Sequence, residues 1–268
     1  RIAMSGRRGP VVLHVPCDIF AADVPAGTLI RHGGNQAGAP DSEQIASILS
    51  LLAGAEKPVI IAGGGFKWSQ GSQALVALAE VLQIPVVSST GHHDVMATDH
   101  PLHAGQGGPR GNKVASNLTR EADVILALGT RLGFNSTFHS NDYINAEATI
   151  VQVDVDGSAL GRYFPVAMGI VADARAAAQV LTTAAGKNDL SSQAWQPWLE
   201  SFRQAKAALE EERRAEAKLE GKPLPPFRAL GEIRESLPDD VIVTLDTGAM
   251  CLQAADRMRF GTSPGLLT

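Results

Sequence analysis

The chain has 268 residues, 44% of them hydrophobic and 19% charged, with 23 Lys plus Arg against 28 Asp plus Glu for a formal net charge of −5. That apolar content excludes disorder as the main state, and the mild acidity excludes the basic footprint of a nucleic-acid binder or of a protein held to an anionic membrane. No run reaches the roughly 18 apolar residues of a membrane span, and Arg1-Ile-Ala-Met-Ser-Gly-Arg-Arg8 lacks a signal core, so a cytoplasmic location is expected.

The first element is a strand-like run, Gly9-Pro-Val-Val-Leu-His-Val-Pro16. An apolar strand needs neighbours and none precedes it, so residues 1–20 are expected to close a preceding domain. The end at Pro264-Gly-Leu-Leu-Thr268 has no closing helix, which makes the chain an expected piece of a longer polypeptide. Residues 21–40 have no periodicity and several breakers, and read as a linker. Cys17 and Cys251 are the only cysteines. Two thiols without repeated spacing make neither a metal set nor a disulfide framework, and they are expected to be reduced, buried and structural.

From 41 to 186, short β-branched runs alternate with helical patterns, the signature of βαβ units. Strands are predicted at Pro58–Ala62, Pro85–Ser89, Asp123–Gly129, Ile150–Val155 and Met168–Val171. Helices are predicted at Asp41–Gly54, capped by Asp41, and at Ser69–Gln83, Asn112–Glu121 and Asp173–Ala185. The strands are apolar on both faces, so the expected fold is α/β: a doubly wound parallel sheet of Rossmann type with partial α/β domains on either side. Residues 187–226 carry a helix and a second linker. Trp195, Trp198, Leu199, Phe202 and Leu209 recur at helical spacing, while the charges to Glu220 balance and describe a solvated face. Residues 227–268 then open a further α/β unit with a helix at Phe227–Leu237 and a strand at Val241–Leu245.

Ligands of an open parallel sheet sit beyond the carboxyl ends of its strands. Those ends carry Gly63-Gly64-Gly65, Ser88-Ser89-Thr90, Gly129-Thr130-Arg131 and Asp154-Val155-Asp156, which suit a nucleotide-type pocket. Arg131 is either a phosphate partner or a surface ion pair, and Asp154 either a ribose acceptor or the cap of the next turn. The loop Gly105-Gln-Gly107-Gly-Pro-Arg-Gly-Asn112 either closes over a ligand or is a plain surface turn. His92-His93-Asp94, Asp99-His100 and His103 suggest a metal, but adjacent histidines point apart and no helical His pair is present, so no metal site is expected. No catalytic triad can be assembled either.

Six segments in order carry a resemblance. Gly9-Pro-Val-Val-Leu-His-Val-Pro-Cys-Asp18, Lys57-Pro-Val-Ile-Ile-Ala-Gly-Gly-Gly65 and Asp99-His-Pro-Leu-His-Ala-Gly105 are followed by Ala122-Asp-Val-Ile-Leu-Ala-Leu-Gly-Thr-Arg131, Ile150-Val-Gln-Val-Asp-Val-Asp156 and Ile242-Val-Thr-Leu-Asp-Thr-Gly248. Together they resemble the thiamine-diphosphate-dependent enzymes of the acetolactate synthase type. The resemblance implies three α/β domains, of which this chain would supply the end of the pyrimidine-binding one (1–20), the central one (41–186) and the start of the diphosphate-binding one (227–268). It implies a carboligase or decarboxylase acting on a small 2-keto acid, with thiamine diphosphate and Mg2+ in the intact homodimer or homotetramer. FAD or ADP is implied in the central domain, where Gly63, Gly64, Gly65, Gly105, Gly107, Gly129, Arg131, Asp154 and Asp173 match lining positions. Gly248, Ala249, Met250 and Cys251 match the segment that cradles thiamine diphosphate. The family's activating glutamate and its metal motif fall outside these residues, so no catalytic residue is expected here and the isolated chain is expected to be inactive. The alternative is a stand-alone module that binds FAD or an adenine nucleotide without thiamine chemistry.

Overall fold

Aliphatic runs with no polar alternation are stable only when both faces are covered: Pro58–Ala62, Val86–Ser88 and Val124–Leu128 are buried throughout, whereas the edge run Met168–Val171, expected to be covered likewise, leaves Gly169 and Val171 exposed. The computed structural model describes residues 2–25, 27, 38–187, 192–261 and 263–268. Its strands are β1 (Pro58–Ala62), β2 (Val86–Ser88), β3 (His103–Gln106), β4 (Val124–Leu128), β5 (Thr149–Asp154), β6 (Met168–Val171), β7 (Val243–Thr244) and β8 (Leu266–Leu267). The first six form one parallel sheet in the order β3-β2-β1-β4-β5-β6, and β7 and β8 form a separate parallel pair. The chain turns from one half of the large sheet to the other between β1 and β4, and there the strand ends diverge into a crevice.

The helices are α1 (Ser42–Ala53), α2 (Gly64–Trp68), α3 (Ser72–Leu82), α4 (Lys113–Glu121), α5 (Phe134–Thr137), α6 (Ala174–Lys187), α7 (Gln196–Glu216), α8 (Pro226–Glu235) and α9 (Ala249–Arg257). Asp41 caps α1 through a full capping box with Gln44, and Asn112 caps α4 through the Ala115 N–H. The single helix expected at Ser69–Gln83 is two. Gln70 sits at φ +54° and Gly71 packs against Phe66 and Arg175, so the chain breaks between α2 and α3. Among the described residues no helix is long and apolar enough to cross a membrane.

One core holds the large sheet and the helices around it, with Ile48, Phe66, Leu78, Ile125, Leu181 and Trp195 among its fully buried members. The indole N–H groups of Trp195 and Trp198 donate to the carbonyls of Leu82 and Pro58 at 3.2 Å, which fixes α7 to this body. Residues 226–268 have a smaller core of Leu230, Ala254, Ala255, Met258, Phe260 and Leu266.

Three further expectations are corrected. Gly9–Pro16 forms no strand: with no neighbouring strand to bond, Val12 and Leu13 stay 77% and 82% exposed. The strand expected at Val241–Leu245 contracts to β7, the two residues that reach β8. Cys17 is exposed and Cys251 half-buried, so neither is a core thiol. Of the linker expected at 21–40, residues 26 and 28–37 lie outside the described residues.

The whole site depends on how closely the tips of β1 and β4 approach. Gly65 N–H donates to the Gly129 carbonyl at 3.0 Å, and a Cβ on Gly65 would stand 2.6 Å from the Gly129 Cα. Gly129 itself is left-handed, at φ +62°. Replacing Gly129 by Val is expected to cost about 2 kcal/mol or more, read as a lowered urea midpoint.

Candidate functional site

The crevice at the switch point is a cavity of about 700 Å³. That lies within the roughly 300–1,000 Å³ of small-molecule sites. Gly64 and Gly65 open α2 on one side of it, Gly129, Thr130 and Arg131 leave β4 on the other, and Asp154 and Asp173 line the β5 and α6 side. Glycine at these tips lets the backbone itself form part of the wall, with the Gly65 and Gly129 N–H groups committed to the carbonyls of Gly129 and Val153, so the surrounding side chains supply the polar groups.

Both carboxylates are held by neighbouring amides. Asp154 Oδ1 accepts the Asp156 N–H at 2.9 Å, and Asp173 Oδ1 accepts the Ala176 N–H at 2.9 Å at the start of α6. Burial pushes the Asp154 carboxyl above its ordinary value, while that amide and the nearby Arg7 and Arg131 pull it back. Asp154 therefore caps its turn and also faces the cavity.

The structure divides the residues picked from sequence. Gly64, Gly65, Gly129, Arg131, Asp154 and Asp173 surround the cavity. Gly63 stands behind them, packed against Thr130, where it spaces the two strand tips. Gly105 and Gly107 lie at the β3 end: Gly105, at φ +93°, packs on Asn112, and Gly107 packs on Val87 beside a separate crevice of about 10 Å³. The loop between Gly105 and Asn112 is tied down, with the Gln106 side chain accepting the Gly91 N–H and donating to the Arg110 carbonyl. Gly248, Ala249, Met250 and Cys251 start α9 in the other unit, and Gly248, Ala249 and Met250 are exposed.

Sequence reasoning missed several lining residues. Met4, Arg7 and Arg8 cross the cavity from the N-terminal segment, adding two cations to Arg131. The paired arginines ahead of the Gly9-Pro run were the available signal. Trp68, Phe134 and Tyr163 supply aromatic surface, with His139 stacked on Tyr163 at 4.1 Å and Phe138 packed on Phe134 at 4.9 Å.

The histidines part company as neighbours do. His92 lines the cavity against Gly64, whereas His93 points inward to within 5.1 Å of the His103 ring and meets the edge of Phe260. Burial lowers His92 and His93 to about 4, with Lys67 adding to the effect on His92, and burial beside His93 and Lys206 holds His103 well below the ordinary imidazole value. Among the described residues no three His, Cys, Asp or Glu groups come together to hold a metal.

These imidazoles are neutral in the fold at pH 7, but protonate near pH 6.5 once unfolded. Below that pH the unfolded chain binds more protons, so stability is complete above it and falls as the pH drops toward 4. Between pH 7 and pH 5 the loss should be about 2 kcal/mol for His93, with His103 adding to it in the same direction. Urea midpoints measured across that window check this, and His93→Gln should flatten the profile.

Residues 45–181, half of the chain and all of the large sheet, match the family model described as thiamine pyrophosphate enzyme, central domain. The sulfoacetaldehyde acetyltransferase of Castellaniella defragrans is 32% identical over 94% of this chain and 45% of its own length. The probable acetolactate synthase large subunit of Methanocaldococcus jannaschii is 30% identical over 92% of this chain and 43% of its own. The acetolactate synthase large subunit of Lactococcus lactis subsp. lactis is 32% identical over 66% and 31%. The chain thus spans less than half the length of these relatives. The matched core and the strand order that carries it make one statement: the chain belongs to the thiamine pyrophosphate enzyme family.

Proposed function

We propose that these residues are the central unit, with flanking pieces, of a thiamine-diphosphate-dependent carboligase or acyl transferase that consumes a small 2-keto acid. One observation carries the reading: likeness to the acetyltransferase and synthase relatives runs over 94% and 92% of the chain, far past the nucleotide-type sheet. A stand-alone nucleotide module is not favoured, because such a module has no use for the α8, α9 and β7–β8 unit.

When bound, thiamine diphosphate supplies the carbon nucleophile that makes decarboxylation of a keto acid feasible. In this chain Gly248, Ala249, Met250 and Cys251 would hold its diphosphate. The start of α9 suits a phosphate group. No side chain caps it, nothing stands within 4 Å of where a Gly248 Cβ would be, and helix-start amides attract phosphate. Mg2+ would be held through one or two carboxylates together with the diphosphate, and among the described residues no group of three His, Cys, Asp or Glu side chains gathers to hold it alone. Its ligands are assigned to sequence outside this chain.

The cavity between β1 and β4 is assigned to FAD or ADP, bound for structure rather than for chemistry. Arg7, Arg8 and Arg131 offer the charge for a diphosphate, Asp154 a ribose acceptor, and Trp68, Phe134 and Tyr163 flat walls. The intact enzyme is assigned as a cytoplasmic homodimer or homotetramer.

Two measurements test this. The 268-residue chain with thiamine diphosphate and Mg2+ is expected to leave pyruvate untouched, whereas a polypeptide extended to the length of the relatives is expected to decarboxylate it. Turnover by the short chain overturns the reading. Saturating FAD or ADP is expected to raise the melting temperature, by the equivalent of about 2.7 kcal/mol at a hundredfold excess over Kd. Arg131→Ala should abolish that shift, and an unchanged shift removes the cavity assignment.

A further inference from the structure

The most deeply buried ion pair of the described residues touches neither the cavity ligand positions nor α9, yet it joins their two supports. Asp94, whose side chain has no exposure, lies in the loop after β2, and Lys67, at 11%, lies on α2. Lys67 Nζ stands 3.0 Å from Asp94 Oδ1. The other carboxylate oxygen, Oδ2, accepts the N–H groups of Gly265 at 2.8 Å and Leu266 at 2.9 Å. Lys67 Nζ also donates to the Leu266 carbonyl. One ion pair therefore grips Leu266 by both its amide and its carbonyl.

What it grips is β8. From β8 the Gly265 carbonyl accepts the Val243 N–H at 2.8 Å and the Leu267 carbonyl accepts the Leu245 N–H at 2.9 Å, so β7 hangs on the clamped strand. After Leu245 the chain passes through Asp246 and Thr247 to Gly248 and the start of α9. On the other side, α2 begins with the glycines of the cavity wall, and His92, two residues before Asp94, lines that cavity. Gly91 seals the contact: a Cβ there would lie 2.6 Å from Thr268 Oγ1.

Independent contacts hold the same unit elsewhere. Arg213 pairs with Asp256 at 2.6 Å, and Thr98 and Phe260 exchange backbone and hydroxyl bonds. Attachment does not need a charge buried at Asp94. Burying a pair is expensive, and replacing it by apolar groups is often neutral, so its yield here is position rather than adhesion.

We propose that Lys67 and Asp94 are a positioning pair for the thiamine diphosphate site, holding β8, and through β7 the turn ahead of α9, in fixed register with the central cavity. This rests on the reading of Gly248–Cys251 as the diphosphate cradle. Neither residue touches the cofactor; they act through the strand pair.

The test uses the enzyme extended to the length of its relatives, with cofactor affinity followed by titration and backbone motion by hydrogen exchange. Asp94→Asn and Lys67→Met are each expected to weaken thiamine diphosphate binding by about tenfold. Turnover at saturating cofactor should stay within about twofold. Exchange should quicken at residues 243–248 and 265–267 and stay unchanged in β1 and β4, and Lys67→Arg should restore much of the affinity. If Asp94→Asn does not fold, Lys67→Met, which keeps both amide bonds to the carboxylate, gives the same readout. Wild-type affinity in folded variants overturns the proposal and leaves the cradle reading standing, as does loosening of β1 and β4 along with the clamp. A wild-type enzyme that binds no thiamine diphosphate overturns the cradle reading and the proposal with it.

Discussion

Everything around the cavity follows from the contact of two backbones without side chains between them. Gly65 and Gly129 meet across the switch point with a hydrogen bond of 3.0 Å, a separation that no Cβ on either residue would permit. The sheet order places β1 beside β4 and sends the two following helices to opposite faces, so this is where the layers part. The approach of the tips sets the floor of the cavity. The side chains that surround it, Arg131, Asp154 and Asp173, are carried on elements whose spacing that floor fixes.

A second layer of order lies beneath the loop that follows β2. Residues 91–103 carry little regular structure, yet His93, Asp94 and His103 are buried there, held neutral or paired rather than solvated. Buried polar groups of this kind are costly unless their partners are in place, so they specify one arrangement of the loop. That arrangement presents His92 to the cavity and Asp94 to the end of the chain. The two units thus meet through polar groups, and the apolar cores on either side remain separate.

Legibility in the sequence tracked how local the determining physics was. Runs such as Val59-Ile-Ile61 and Val124-Ile-Leu-Ala-Leu128 announce buried parallel strands because both faces must be apolar, and β1 and β6 fall at the residues expected. The strand His103-Ala-Gly-Gln106 was illegible: it has neither a β-branched residue nor alternation, and pairs only because β2 offers it an edge. Periodicity carried α3 on into Ser69, Gln70 and Gly71, since the pattern cannot register one left-handed residue. At the site, the strand-end glycines and Arg131 were readable from the fold rule alone. Arg7 and Trp68 were not, because they arrive from segments whose path is settled by tertiary contact. Gly105 and Gly107, picked along with the strand-end glycines, lie against Asn112 and Val87 outside the lining of the large cavity.

The two tryptophans ahead of and within α7 bear on how small this body can be made. Each commits its only polar atom to a carbonyl at the lower rim of the sheet, Trp195 at the end of α3 and Trp198 at the start of β1. Leu199, Phe202 and Leu209 continue the same buried layer along the helix. A shortened version that stopped after α6 would strip a greasy flank bare and leave two carbonyls thirsty. The smallest autonomous piece therefore has to carry α7 as its own outer plank, even though half of that helix looks, by its charges, like a tether between neighbours.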